Sequence, residues 1–250
     1  MELSKIVTHL DRLLDHEAVS DYDNAFNGLQ IENSGVVHRI GAAVDASEAT
    51  LRLAARANVD FLLVHHGLFW PGVQRVEGPF YRKLKLAFNA DMAVYSSHLP
   101  LDLHPALGNN ACLIDALGKL RKEPFLMDHG QRIGFKAKLR VDREKLRARL
   151  EQIVGGPVRL IPGGPVQTGV VGVVSGGAGE KIAQAAKEGV DTYITGEAPH
   201  WVHAMAEELG INLLIAGHYA TETFGVKAVA ARLAEKFRLP WKFLDNPSGL

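Results

Sequence analysis

Short apolar runs recur along this chain, each set off from the next by a segment with helical periodicity, and this alternation limits the fold more than any other feature. The runs Ile40 to Val44, Phe61 to Val64, Ala93 to Ser96, Val170 to Val174, Thr192 to Thr195 and Ile211 to Ile215 read as strands buried on both faces. Between them the spacing predicts helices near Ser47 to Ala57, with Ser47 as N-cap, and near Pro79 to Phe88, then helices through Gln184 and Met205 and a long one to about Phe237. A further helix opens the chain at Leu3 to Leu14, and a strand at Trp241 to Leu244 closes it. Strand and helix in alternation make βαβ units and a mostly parallel sheet with helices over it.

The texture changes between Gly118 and Gly169, where glycines and prolines punctuate a strand-like Ile133 to Leu139 and a charged helix from Asp142 to Ile153. That stretch reads as a domain junction. The expected fold class is therefore α/β, with two βαβ-rich lobes over residues 1–122 and 123–250 and mostly parallel or mixed sheets. The last helix and strand are free to pack back on the first lobe.

Composition narrows the class of partner. The 28 basic residues balance the 28 acidic ones, so no net field favours a polyanion and nucleic-acid binding is not expected. Cys112 is the sole cysteine, and it lies in an apolar stretch expected to be core. One thiol excludes an internal disulfide and makes thiolate zinc or iron–sulfur chemistry a poor fit. The N-terminal segment lacks the apolar stretch of a signal peptide, and no apolar run is long enough to cross a bilayer, so a cytoplasmic location without a membrane role is expected.

Chemistry concentrates where these runs end. Val64-His65-His66-Gly67, His98 to Asp102, Thr195-Gly196-Glu197 and Gly217 to Glu222 each place imidazole or carboxylate groups just beyond a strand. In open α/β sheets the loops past the carboxyl ends of strands converge on one crevice. His65, His66, Asp102, His218 and Glu222 form the expected metal-ligand set, too many for one tetrahedral ion with an open position and suited to two ions sharing a bridge. Adjacent side chains on an extended strand point to opposite sides, so each histidine of the pair is expected to serve a different ion. His218 and Glu222, four apart in a first helical turn, share a face.

Each of these readings has a plainer rival. A histidine pair in a loop also makes ordinary hydrogen bonds, Asp102 also suits an Asx-type turn, and an acid in a first helical turn also caps. His98 suits a proton shuttle or an outer partner of a ligand, and Glu197 a general acid or base, which makes these two the candidate catalytic residues. Glu197, His200 and His203 share a three-residue spacing, with His203 expected at the surface. The Ser175 to Glu180 loop offers several backbone N–H groups that suit either a phosphate or tight packing.

Val-His-His-Gly-Leu-Phe-Trp at 64–70, the segment from Ser96 to Asn110, Ile194 to Glu197, Ala216 to Val226 and the N-terminal stretch from Ser20 to Ile31 together resemble the NIF-three-like family, whose members are often called GTP cyclohydrolase 1 type 2 homologues. The resemblance spans nearly the whole chain. It implies the same five ligands with Glu222 bridging, a dinuclear site between two α/β domains, and a toroidal homohexamer; carboxylate beside imidazole suits zinc, iron, manganese or cobalt for the two divalent ions. Many relatives carry His-Thr-Asn-Leu-Asp where this chain has His98-Leu-Pro-Leu-Asp102, which keeps the acid. The stretch from Gly118 to Gly169 is too short for the inserted middle domain of some relatives, so this is the compact form.

The leading functional expectation is a dinuclear metal-dependent hydrolase acting on a small molecule, a nucleotide or other cyclic amide or phosphate, in the manner of the family's cyclohydrolase name. The alternative is a non-catalytic metal-binding scaffold or regulatory ring protein.

Overall fold

The structure, a computed structural model, describes residues 1–250. In chain order the elements are α1 (Leu3–Leu14), β1 (Gly28–Ile31), β2 (Ile40–Asp45), α2 (Glu48–Arg56), β3 (Phe61–His66), α3 (Gly78–Asn89), β4 (Ala93–Ser96), α4 (Leu99–Asp102), α5 (Asn109–Ala116), β5 (Lys122–Asp128) and β6 (Gln131–Lys138). They continue with α6 (Arg143–Val154), β7 (Arg159–Pro162), β8 (Val170–Val174), α7 (Ile182–Lys187), β9 (Thr192–Thr195), α8 (Val202–Leu209), β10 (Asn212–Ile215), α9 (His218–Phe237) and β11 (Trp241–Phe243). No helix is long and apolar enough to cross a membrane. The chain divides into two compact units, each a mixed α/β structure on its own sheet.

The first unit comprises Met1–His104 and Gly225–Asn246. Its sheet has the order β1-β4-β3-β2-β11, in which β4, β3, β2 and β11 are parallel and β1 runs antiparallel at one edge. The central strands are apolar because both faces are covered, and Leu62, Val64 and Val94 pack with Leu51 and Ala54 of α2 in one buried cluster. Each of these leucine and valine side chains contributes roughly 1.5–3 kcal/mol on burial. Ser47 caps α2 as its position predicts, its hydroxyl accepting from the Thr50 N–H at 3.0 Å.

The second unit comprises Pro105–Phe224 and Pro247–Leu250. Its sheet has the order β5-β6-β8-β9-β10-β7, with β8, β9 and β10 parallel and the other three strands antiparallel to their neighbours. Phe125 is fully buried in a notch made by two glycines: a Cβ at Gly134 or Gly172 would stand 2.6 Å from its ring.

Three details differ from the sequence reading. The first division falls at His104 rather than residue 122, because Ala111, Leu113 and Ile114 of α5 are buried in the second unit's core with Phe135 and Leu146. β11 and most of α9 go back to the first unit, the option left open above, but the division falls inside α9, whose first turns belong to the second unit. Cys112 is half-buried rather than core, on the outer side of α5, and its thiol pKa is pushed up first by burial and then by Asp115.

Candidate metal centre

In the first unit the carboxyl ends of three adjacent parallel strands carry the polar groups. β3 runs two residues past its apolar run and ends on His65 and His66, β2 ends on Asp45 opposite His66, and β4 leads through Ser97 to His98. Apolar strands thus deliver imidazoles to the sheet rim, where open α/β sheets bind ligands.

The histidine pair does not splay apart as an extended strand would place it. The two ring centroids are 4.8 Å apart, and the His98 ring lies 4.9 Å from His65 and 5.7 Å from His66. One ligand atom from each of the three lies within 4.8 Å of the others, a cluster able to hold a metal ion. Tethers on separate sides impose this convergence. His65 Nδ1 donates to the Ser97 carbonyl at 3.0 Å, His66 Nδ1 to the Asp45 carboxylate at 2.8 Å, and His98 Nδ1 to Asp21 at 2.8 Å. In a neutral imidazole held through Nδ1–H, the lone pair resides on Nε2.

Asp102 closes the one-turn α4 and is buried, with Oδ2 3.5 Å from His65 Nε2. Two ligand atoms each ~2.1 Å from a tetrahedral ion lie about 3.4 Å apart, so this pair is spaced as metal ligands are. His98 is held by more than Asp21. Its N–H donates to Asn27 Oδ1 at 2.8 Å, and Asp21 also accepts from Leu99 N and Asn27 Nδ2. Burial raises the Asp21 pKa, but His98, Asn27 and the Tyr22 N–H outweigh it and hold the carboxyl below the usual range. Trp70 and Tyr22 flank the cluster, their rings 4.8 and 5.8 Å from His98.

In the second unit the corresponding rim is formed by β8, β9 and β10, in register at Val174, Thr195 and Ile215. β9 leads to Glu197, and β10 leads through Gly217 to His218 at the start of α9. His218 Nε2 lies 3.1 Å from Glu222 Oε1, and its Nδ1 lies 3.3 Å from Glu197 Oε1. Glu222 is buried while Glu197 is exposed. Without a cation present, burial works against the His218 charge, but Glu222 and then Glu197 override it and push the imidazole up to about 9. Glu197 therefore addresses the far nitrogen of His218.

The glycine loop after β8 serves this arrangement rather than a phosphate. Gly176 has φ +65°, and a Cβ there would stand 2.3 Å from Glu222 Oε1 and 3.3 Å from His218 Nε2. Its N–H donates to Thr221 Oγ1, the Ser175 N–H to Asn110 and the Gly179 N–H to the Glu197 carbonyl. Glu197 lies against Gly177 as well. Glutamates against the loop and three engaged amides disfavour an anion there, and Thr221 fixes the first turn of α9.

The donor set fits divalent cations. Imidazole nitrogens and carboxylate oxygens suit zinc, iron, manganese and cobalt, and every candidate imidazole is braced at Nδ1 by an oxygen. Sequence reasoning singled out the histidines and Asp102 as candidates but did not include Asp21, Asp45 or the Ser97 carbonyl, which brace them. Aligning the strand ends, which puts Asp45 opposite His66, is the signal that finds the second of these.

Comparison with known proteins gives the family. A relative in Deinococcus radiodurans called GTP cyclohydrolase 1 type 2 homolog is 41% identical over 230 residues, covering 91% of this chain and 88% of its own. A Pyrococcus horikoshii protein of the same name is 40% identical over 255 residues, covering all of both chains. The solved structure of a Thermus thermophilus protein superposes with a TM-score of 0.92 at 39% identity, again over the full length of both. Residues 1–247 match the family model described as Duf34/NIF3, NGG1p interacting factor 3, and with strand-end histidines and acids laid out as above, this chain belongs to the Duf34/NIF3 family.

Proposed function

We propose that this protein is a dinuclear metal-dependent hydrolase in which His65, His66 and Asp102 of the first unit and His218 and Glu222 of the second hold two divalent ions, with Glu222 bridging them. The observation that carries this reading is the bracing of the imidazoles. Nδ1 of His65, His66 and His218 each faces an oxygen at 3.3 Å or less, which leaves Nε2 of each ring to coordinate. Ion pairs made for stability alone have no reason to share one nitrogen.

Divalent ions held there would supply a water that ionises near neutral pH and a Lewis acid for the group attacked. The residues around them would do the rest. His98, oriented by Asp21, is placed to hold or pass a proton at Nε2. Glu197 orients His218. Trp70 and Tyr22 keep bulk water from one side of the imidazole cluster and offer flat faces to a ring-bearing substrate. The name carried by the Deinococcus and Pyrococcus relatives points to hydrolytic ring opening of a nucleotide, and a cyclic amide or nucleotide is the substrate class we assign.

The test is elemental analysis of the purified protein, followed by turnover of nucleotides, cyclic amides and phosphoesters by the metal-loaded form, with His65→Ala and His98→Gln alongside. Two equivalents of metal per chain and turnover abolished by both variants are expected. Two equivalents with no turnover of any class would leave a metal-binding scaffold instead.

A further inference from the structure

A second polar cleft lies in the second unit, apart from every residue assigned above. It encloses about 240 Å³ and is lined by Arg159, His200 and His203, with Ile161, Ile215 and Pro199 as apolar wall. We infer that this cleft binds a phosphate-type oxyanion. As the subsite for a phosphate on the substrate it rests on the hydrolase reading above; as an anion site it stands on its own residues.

Topology places these groups together. Arg159 begins β7 and pairs across the ladder with Ile215, the last residue of β10, so its side chain shares a face with Ile215 and, two residues on, with Ile161. β7 is antiparallel to β10, which puts Arg159 at the carboxyl-end rim of the parallel strands, the same rim that carries Glu197 and His218. The turn entering α8 supplies the other two donors. His203 N donates to the His200 carbonyl at 3.2 Å, a helical turn already formed, and a spacing of three sets both imidazoles on one side of it.

The chemistry of the lining selects the ligand. The Arg159 guanidinium is always charged, and its forked N–H groups match two oxygens of a phosphate. Its side chain and those of His200 and His203 have no hydrogen-bond or ion-pair partner in the protein, and no carboxylate lines the cleft. The nearest acid in sequence, Glu197, has Oε1 turned to His218 Nδ1 at 3.3 Å. A metal cation is disfavoured by the fixed positive charge of Arg159. Apolar walls on one side strengthen a charge-assisted contact on the other.

The experiment titrates inorganic phosphate and pyrophosphate into the intact chain, chelator-treated and metal-loaded, by calorimetry at pH 7 and constant ionic strength. Saturable binding to the chelator-treated protein is expected. Arg159→Met should weaken it ~10–100-fold, the range for one charged hydrogen-bonding group, and His200→Ala with His203→Ala, on an exposed turn, should weaken it at least as much. Arg159→Lys should retain part of the affinity, and all variants should keep the wild-type metal content. No saturable binding, or variants that bind as wild type does, would overturn the inference. Phosphate binding that appears only with metal present would also overturn it, while leaving the metal reading intact. Arg159-dependent binding in a protein that takes up no metal would remove the hydrolase reading and leave the anion site standing.

Discussion

Asp45 and His66 are cross-strand partners at the ends of β2 and β3, and the carboxylate accepts from His66 Nδ1 at 2.8 Å. The acid can reach the imidazole only because the parallel register sets the two residues side by side at the rim. Asp45→Ala removes the brace and leaves the ring free to rotate and to change tautomer. We expect metal affinity to fall roughly 10–100-fold, as is usual when an outer partner of a ligand is lost. Titration of chelator-treated protein with zinc or manganese measures this, and affinity equal to wild type would show that Asp45 does not orient a ligand.

Asp102 Oδ2 lies 3.5 Å from His65 Nε2, whereas Asp45 is on the Nδ1 side of His66. Asp102→Ala should therefore cost more than the ~10–100-fold set by an outer partner, and should reduce the number of ions retained after dialysis. Unchanged metal stoichiometry in this variant would remove Asp102 from the ligand set.

In the metal-free protein, His218 has a pKa raised to about 9. The folded state therefore holds the proton more tightly than the unfolded chain, whose histidine titrates near 6.5. The resulting stability is fully present below about pH 6.5 and is lost as pH rises through 9. Denaturant midpoints of the chelated protein should fall between pH 7 and 9.5 by more than those of His218→Gln. Metal uptake at pH 7.5 should displace about one proton from His218, seen as a buffer-dependent binding enthalpy. Identical enthalpies in buffers of different ionisation heat would contradict the assignment.

Gly176 keeps space for the Glu222 carboxylate, and it does so in a left-handed backbone conformation with φ +65°. Gly176→Ala adds a methyl 2.3 Å from Glu222 Oε1 and a backbone cost of about 1–2 kcal/mol. Thermal stability and metal affinity should drop together. A variant destabilised with metal affinity intact would mean that Glu222 does not need the space.

Apart from the edge strand β11, the strands legible in the sequence are interior ones, and the ones it concealed lie at sheet edges. β3 and β8 are unbroken apolar runs because helices cover both sides. β1, β5 and β7 each pair on one side only: β5 carries Pro124 and a left-handed Leu126, and β7 ends in Pro162, which lacks a backbone N–H to give. The site divides in the same way. His65, His66, Asp102, His218 and Glu222 stand out as chemistry that follows hydrophobic runs. Asp21 has no such signal, since an aspartate in a turn-rich loop is ordinary and only the folded loop brings it to His98. The convergence of His65 and His66 also lay beyond strand geometry, because it depends on tethers to Ser97 and Asp45.

The three-residue β11 lies on the outer side of β2 at Ile40, Gly41 and Ala42, and Leu244 just after it is buried. The unit that emerges first from the ribosome is thus the last to be finished. All six strands of its companion sheet lie between residues 122 and 215 and can be assembled earlier, whereas β2 must wait for Trp241 to Phe243. Until they arrive its backbone is an open template for a neighbouring polypeptide, and chains stalled or truncated before Trp241 would be the ones to clump.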